Sequence, residues 1–294
     1  GTSEGALGTC CDFQSMITEK GNASGSAFKF PNTVYNAAGG YLSICSGIKG
    51  YNVTVTNGAQ SGLASVAYAM SVLRSGQENA MLATGSDENS DIMTELFGKL
   101  GVTSEKVVAP FAGNDGFVLS DGSASVLIED EKSAKERGAR IYCHVTGYGM
   151  AHSNVKFGTL TGSEAGLTNA VNNALADAGM TIDDIDAVFG FANGMKAVDD
   201  VEIKGLTAVF GDKLAEKPVV ELKEVLGESR AAAATTAAAH AALMFAGKIP
   251  SQEAYSIATD GSVSKTNVEA SKLNNVLVAA YGAGGSYTAI VLSK

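Results

Sequence analysis

Apolar and polar residues alternate along this chain with two periods. Residues 53–56 (Val-Thr-Val-Thr) have the β-branched alternation of a strand, Asn57-Gly58 reads as a sharp turn, and small apolar residues recur at helical spacing over 59–74. The pattern predicts a strand, a tight elbow and a helix. An apolar run at 79–87 reads as a further strand, and 115–130 (DGFVLSDGSASVLIED) as strand, glycine turn, strand. Strands are then expected at 139–149, 184–194 and 217–222, helices at 163–179, 198–211 and 228–247, and a closing hairpin at 275–294. Strands alternating with helices predict an α/β fold with a parallel-rich sheet covered by helices. The alanine run 231–239 reads as a buried helix, where small side chains permit close approach.

The two expected hairpins, 115–130 and 275–294, share a texture: each continues from a Gly-Ser pair into an apolar run. The chain therefore reads as two related halves, 1–137 and 138–294, of one integrated unit. The first half offers no counterpart to the strand-helix-strand unit of 139–194. The expectation is that this opening unit is truncated or carried by another chain, which leaves strand edges exposed.

Composition narrows the function classes. A formal charge of −10 excludes a broad basic surface for nucleic acid or anionic membrane, and no apolar run reaches the ~18 residues of a membrane span. Cys10, Cys11, Cys45 and Cys143 show neither C-x-x-C nor Cys/His ligand spacing and read as reduced thiols in a cytoplasmic protein, with no metal and no cofactor. His144, His152 and His240 read as structural or solvated. Asp199, Asp200 and Glu202 open a helix, where carboxylates suit the dipole. The glycines of GAGGS suit a hairpin turn rather than a phosphate cradle.

Almost end to end, the chain resembles the β-ketoacyl synthase branch of the thiolase superfamily. NAAGGYLSICSGIKGYNVTVTNGA is similar to the run into the family nucleophile, and APFAGNDGFVLSDGSASVLIEDEKSAKERGA to its P-F-D-x-x-R-D-G-F-V-x-G-E-G hairpin. VFGFANGMKAVDDVEIKGLTAVFG sits at A-H-G-T-G-T-x-x-N-D, ELKEVLGESRAAAA at S-x-K-x-x-x-G-H-x-x-x-A-A, and AAYGAGGSYTAIVL at S-F-G-F-G-G-x-N. The resemblance implies a thiolase-like fold, with duplicated mixed sheets and helices in α-β-α-β-α layers.

Family ketosynthases use one Cys to carry the acyl chain and two His to hydrogen-bond the malonyl thioester oxygen. Carried over, the Cys falls on Gly58, the first His on Phe191 and the second on Glu228. Gly58 cannot hold a thioester and Phe191 neither donates nor accepts; Glu228 would repel a malonyl carboxylate. Scaffold positions Lys223, Asp115, Gly284 and Gly285 are retained, while the phenylalanine between the glycines has become Ala283. The profile is most like a chain-length factor, a catalytically degenerate homologue that pairs with an active ketosynthase. Acyl carrier protein would be met indirectly, through that partner. A common version has Gln at the nucleophile position; here Gln60 lies two residues past Gly58. Family dimers pair the strand leading into the nucleophile, which implies an interface at 51–56 with Gly58 close behind, and Asn57 and Gln60 as tunnel or interface positions. Cys10, Phe13 and Tyr35 would then flank the acyl tunnel. The alternative is an acyltransferase or thioesterase using Ser61, from the near miss of Gly58-Ala59-Gln60-Ser61-Gly62 to G-x-S-x-G.

Overall fold

The computed structural model describes residues 1–156 and 162–294. The first half contains α1 (Leu7–Lys20), α2 (Ala37–Ser46), α3 (Ser61–Arg74), β1 (Ala80–Asp87), α4 (Asp91–Lys99), β2 (Gly122–Glu129) and α5 (Glu131–Glu136). The second contains β3 (His144–His152), α6 (Glu164–Ala178), β4 (Ala187–Phe189), α7 (Lys196–Phe210), β5 (Val219–Val220), α8 (Lys223–Leu226) and α9 (Ala231–Phe245). It closes with β6 (Ser251–Ile257), β7 (Val263–Glu269), β8 (Asn275–Gly282) and β9 (Ser286–Ser293).

Among the described residues, β1 and β2 pair antiparallel, and the remaining strands form one sheet in the order β3-β9-β8-β4-β5-β6-β7. Among the strand pairings of the described residues, those of β4 with β8 and with β5 are parallel and the rest antiparallel. The sheet is therefore mixed rather than parallel-rich. Two antiparallel hairpins, β6-β7 and β8-β9, and the antiparallel docking of β3 on β9 outweigh the crossover strands.

Period-two alternation on β8 explains how the layers stack. Val276, Val278 and Ala280 face a cluster built with α3 and α9, while Leu277, Ala279 and Tyr281 face one built with α6 and α7. Helices α3 and α9 also pack against β1 and β2, so these two helices lie between the two sheets. Their closeness depends on small residues. A Cβ at Gly62 on α3 or at Gly85 on β1 would strike Ala231 O and Thr235 Oγ1 of α9. Backbone oxygen cannot move aside as a flexible side chain can. Gly85→Val is thus expected to destabilise by about 3 kcal/mol, at the upper end of overpacking costs; urea unfolding checks it. At the same junction the Asp87 carboxylate takes the N–H of Ala231 at 2.9 Å, closing the start of α9 from 144 positions away.

Several expectations need correction. Residues 53–56 are not a strand: the segment runs past β1 without a ladder, and Val55 O accepts from Thr2 N–H at 3.1 Å. A cavity of about 460 Å³, lined by Tyr35, Leu42, Tyr51, Val53, Tyr68 and Leu82, separates it from β1. Alternation gives a segment the right side-chain pattern, but a strand also requires a neighbour. The 115–130 segment is not a hairpin either. Its second part is β2, which pairs with β1, while Phe117 and Leu119 make isolated bridges to Thr103 and Glu228. Helices α1, α2 and α4 and the β6-β7 hairpin were not anticipated.

Candidate functional site

Four loops meet at the ends of β4, β5 and β8. They are the elbow before α3, the 190–195 loop after β4, the segment from α8 to Glu228, and the turn between β8 and β9. Gly58 forms the elbow with φ +67°, and a Cβ there would find nothing nearer than Gly282 Cα at 3.5 Å. The position has room for a side chain and carries none.

Ser61 supports the elbow from below. Its hydroxyl donates to Gly58 O at 2.6 Å and accepts from Asn57 N–H at 2.6 Å, and the residue is fully buried. Both capacities of the oxygen are engaged, so the hydroxyl faces the turn rather than a substrate. Gln60 is also inside the chain, its Oε1 taking the Thr288 hydroxyl of β9, whereas Asn57 is exposed.

Phe191 is buried with Tyr281 and Tyr287, ring centroids 5.7 and 6.4 Å away, and the two tyrosines stand 5.2 Å apart. Phe191 and Tyr281 also line the small cavity beside Ala59. Between Ala59, Phe191, Lys223, Arg230 and Tyr281 this cavity is about 20 Å³, which is room for roughly one water.

Glu228 is equally committed. Its Oε2 accepts from Lys223 Nζ at 2.7 Å and Asn193 Nδ2 at 2.9 Å, and its Oε1 accepts from Arg230 N–H at 2.9 Å. Lys223 also donates to Phe191 O at 3.1 Å, so the lysine ties the 190–195 loop to Glu228. Asp115 is exposed on the loop whose Asn114 bridges to Met195. Gly284 and Gly285 make the β8-β9 turn at φ +100° and +91°, as the hairpin reading requires; a Cβ at Gly285 would press on Ser153 O. Cys10 donates its thiol to Thr33 O at 2.8 Å, Phe13 packs at a tilt against Phe30 with ring centroids 5.8 Å apart, and Tyr35 borders the large cavity beside β1. None of these three is among the residues lining the small cavity at the elbow.

The helix-dipole reading of Asp199 and Glu202 is incomplete. Asp199 accepts the N–H groups of Phe111 at 2.7 Å, Asn193 at 3.0 Å and Gly194 at 3.2 Å, and Glu202 accepts that of Phe191 at 3.0 and 3.2 Å. Both are buried, and burial raises the pKa of each, for Glu202 to about 7. Among the described residues the non-glycines at positive φ are Phe111 and Arg230. Each gives its N–H to a site carboxylate, Asp199 or Glu228, and such conformations cost ~1–3 kcal/mol unless held. Sequence gave one usable signal for this network: acids spaced three apart at a helix start, directly after a glycine-containing loop. No group of three or more His, Cys, Asp or Glu among the described residues could hold a metal.

The chain matches the models of the β-ketoacyl synthase N-terminal domain over residues 4–134 and the β-ketoacyl synthase C-terminal domain over 142–255. It belongs to the β-ketoacyl synthase family and has the thiolase-like α/β fold. Similar relatives include 3-oxoacyl-[acyl-carrier-protein] synthase 2 of Vibrio harveyi, 30% identical over 70% of this chain and 52% of the relative. The corresponding synthase of Vibrio cholerae serotype O1 is 31% identical over 67% and 49%. The chain thus spans about half the length of these curated relatives. Among solved structures, the ishigamide ketosynthase/chain length factor superposes with TM-score 0.87 at 24% identity, covering 100% of this chain and 74% of that one. A β-ketoacyl synthase from Burkholderia phymatum STM815 gives 0.86 at 20%, covering 100% and 75%.

Proposed function

We propose that this chain is a non-catalytic, ketosynthase-like subunit, a chain-length factor that pairs with an active β-ketoacyl synthase in polyketide, polyene or fatty-acid type elongation on acyl carrier protein. The observation that carries the reading is the state of the three reactive positions. Gly58 presents no nucleophile, Phe191 is packed into an aromatic cluster, and Glu228 is an internal ion-pair partner of Lys223. The remaining cavity of about 20 Å³ is too small for an acyl or malonyl group. The descriptions of two structural neighbours, a ketosynthase/chain length factor and a type II acyl-carrier protein in complex with its ketosynthase, support the class of partner. In this reading the halves 1–137 and 138–294 act as one unit, Asp115, Gly284 and Gly285 are scaffold, and Cys10, Phe13 and Tyr35 border the shared acyl path.

The test is intact mass after the chain, co-purified with a ketosynthase, is incubated with acyl-loaded carrier protein. An adduct is expected on the ketosynthase cysteine and none on this chain. An acyl adduct here would overturn the reading in favour of acyl transfer by this subunit, and Ser61 would then have to leave its buried position.

A further inference from the structure

Glu221 directly follows β5, two residues before Lys223, at the position of the serine in the family's S-x-K motif, and it has no role in the reading above. Its side chain is buried and faces Glu202 across Gly190, where a Cβ would strike Glu202 Oε1 and Glu221 Oε1 together. Glu202 is supplied with a donor, the Phe191 N–H. Glu221 is not: neither of its oxygens meets a hydrogen-bond donor. Buried carboxyl oxygens are very rarely left unsatisfied, and two ionised carboxylates in contact inside a protein repel strongly. A proton on one of them resolves both problems, because O–H on Glu221 can donate to the Glu202 carboxylate.

We infer that Glu221 and Glu202 form a proton-sharing carboxyl pair, a latch that fastens the end of β5 to α7 and, through the Phe191 N–H, holds the 190–195 loop closed over the small cavity. Glu221 carries the proton, since Glu202 accepts from the backbone. The other charged groups facing the pair are Asp199 on α7 and Lys223 on α8, and Lys223 is neutralised by Glu228. Burial, followed by repulsion from Glu202, raises Glu221 well above the usual carboxylate range.

The pH dependence follows from the direction of these shifts. A carboxyl whose folded pKa exceeds its unfolded value of 4.5 gives its full stabilising contribution below that value. The contribution of Glu221, which carries the latch proton, is lost as pH rises through its folded pKa, well above 4.5; Glu202, raised to about 7, is the acceptor and adds a slope of its own. The latch should therefore weaken on the alkaline side.

The experiment compares the full chain with Glu221→Gln by infrared spectroscopy and by thermal unfolding between about pH 5 and pH 9. At neutral pH the wild type should show a protonated-carboxyl carbonyl stretch that the variant has lost. Its melting temperature should fall more steeply with rising pH than that of the variant, whose amide still donates but cannot ionise. The residual slope in Glu221→Gln belongs to groups such as Glu4, which burial raises to about 7. Identical carbonyl bands and identical pH slopes would overturn the latch. If Glu221→Gln does not fold, Glu221→Ser, the family's residue type there, replaces it in the same comparison.

Discussion

Gly58→Cys is expected to leave malonyl decarboxylation and condensation at background, although it restores a thiol to the elbow. The thiol itself should be competent. A Cβ fits at this position, the start of α3 favours the thiolate, and the positive φ costs only ~1–3 kcal/mol. Decarboxylation also needs donors to the thioester oxygen, and loss of one typically lowers the rate ~10²–10³-fold. In the proposed reading both donor positions are occupied by groups with nothing to give: Phe191 has no polar atom in its side chain, and Glu228 is an acceptor engaged on both oxygens. The measurement is carbon dioxide release and product formation from malonyl carrier protein by the single variant without a ketosynthase. Ketosynthase-like turnover would show that the two histidine positions were assigned to the wrong residues.

The second half was largely legible because its elements carry two independent signals. The β8-β9 hairpin has apolar strands and a double-glycine turn, and α6 and α9 have helical periodicity over 15 residues each. Residues 53–56 had only one signal. Their alternation says what the side chains could do on a sheet but not whether a neighbouring backbone exists, and here a cavity lies where that neighbour would be. The site divides in the same way. Motif register located Gly58, Phe191, Glu228 and Lys223, and the structure brings the last three together through Lys223. It could not reveal that Glu202 and Glu221 meet. They lie on different elements, and only the parallel pairing of β4 with β5, together with the missing side chain at Gly190, sets them face to face.

Glu228→Ala should be among the most destabilising single substitutions in the molecule. Lys223 and Glu228 retain side-chain exposures of only 13% and 6%, so removing the carboxylate strands a cation in a site that water barely reaches. Breaking one partner of a buried pair costs about 3–5 kcal/mol, most of it the unpaired charge left behind. Two further groups lose their acceptor, Asn193 Nδ2 and the N–H of Arg230, whose φ of +54° is held in part by that bond. Glu228→His, the family residue in the proposed register, should also destabilise, because an imidazole does not neutralise Lys223. Replacing both charges, as in Lys223→Met with Glu228→Leu, is expected to recover most of the loss, since an apolar pair of similar volume needs no partner. Urea unfolding of both single variants and the double variant gives the coupling directly. If Glu228→Ala changed stability by less than about 0.5 kcal/mol, as ordinary surface substitutions do, the ion pair would not be what holds these loops in place, and the reading of Glu228 as a structural replacement for a hydrogen-bond-donating histidine would fall with it.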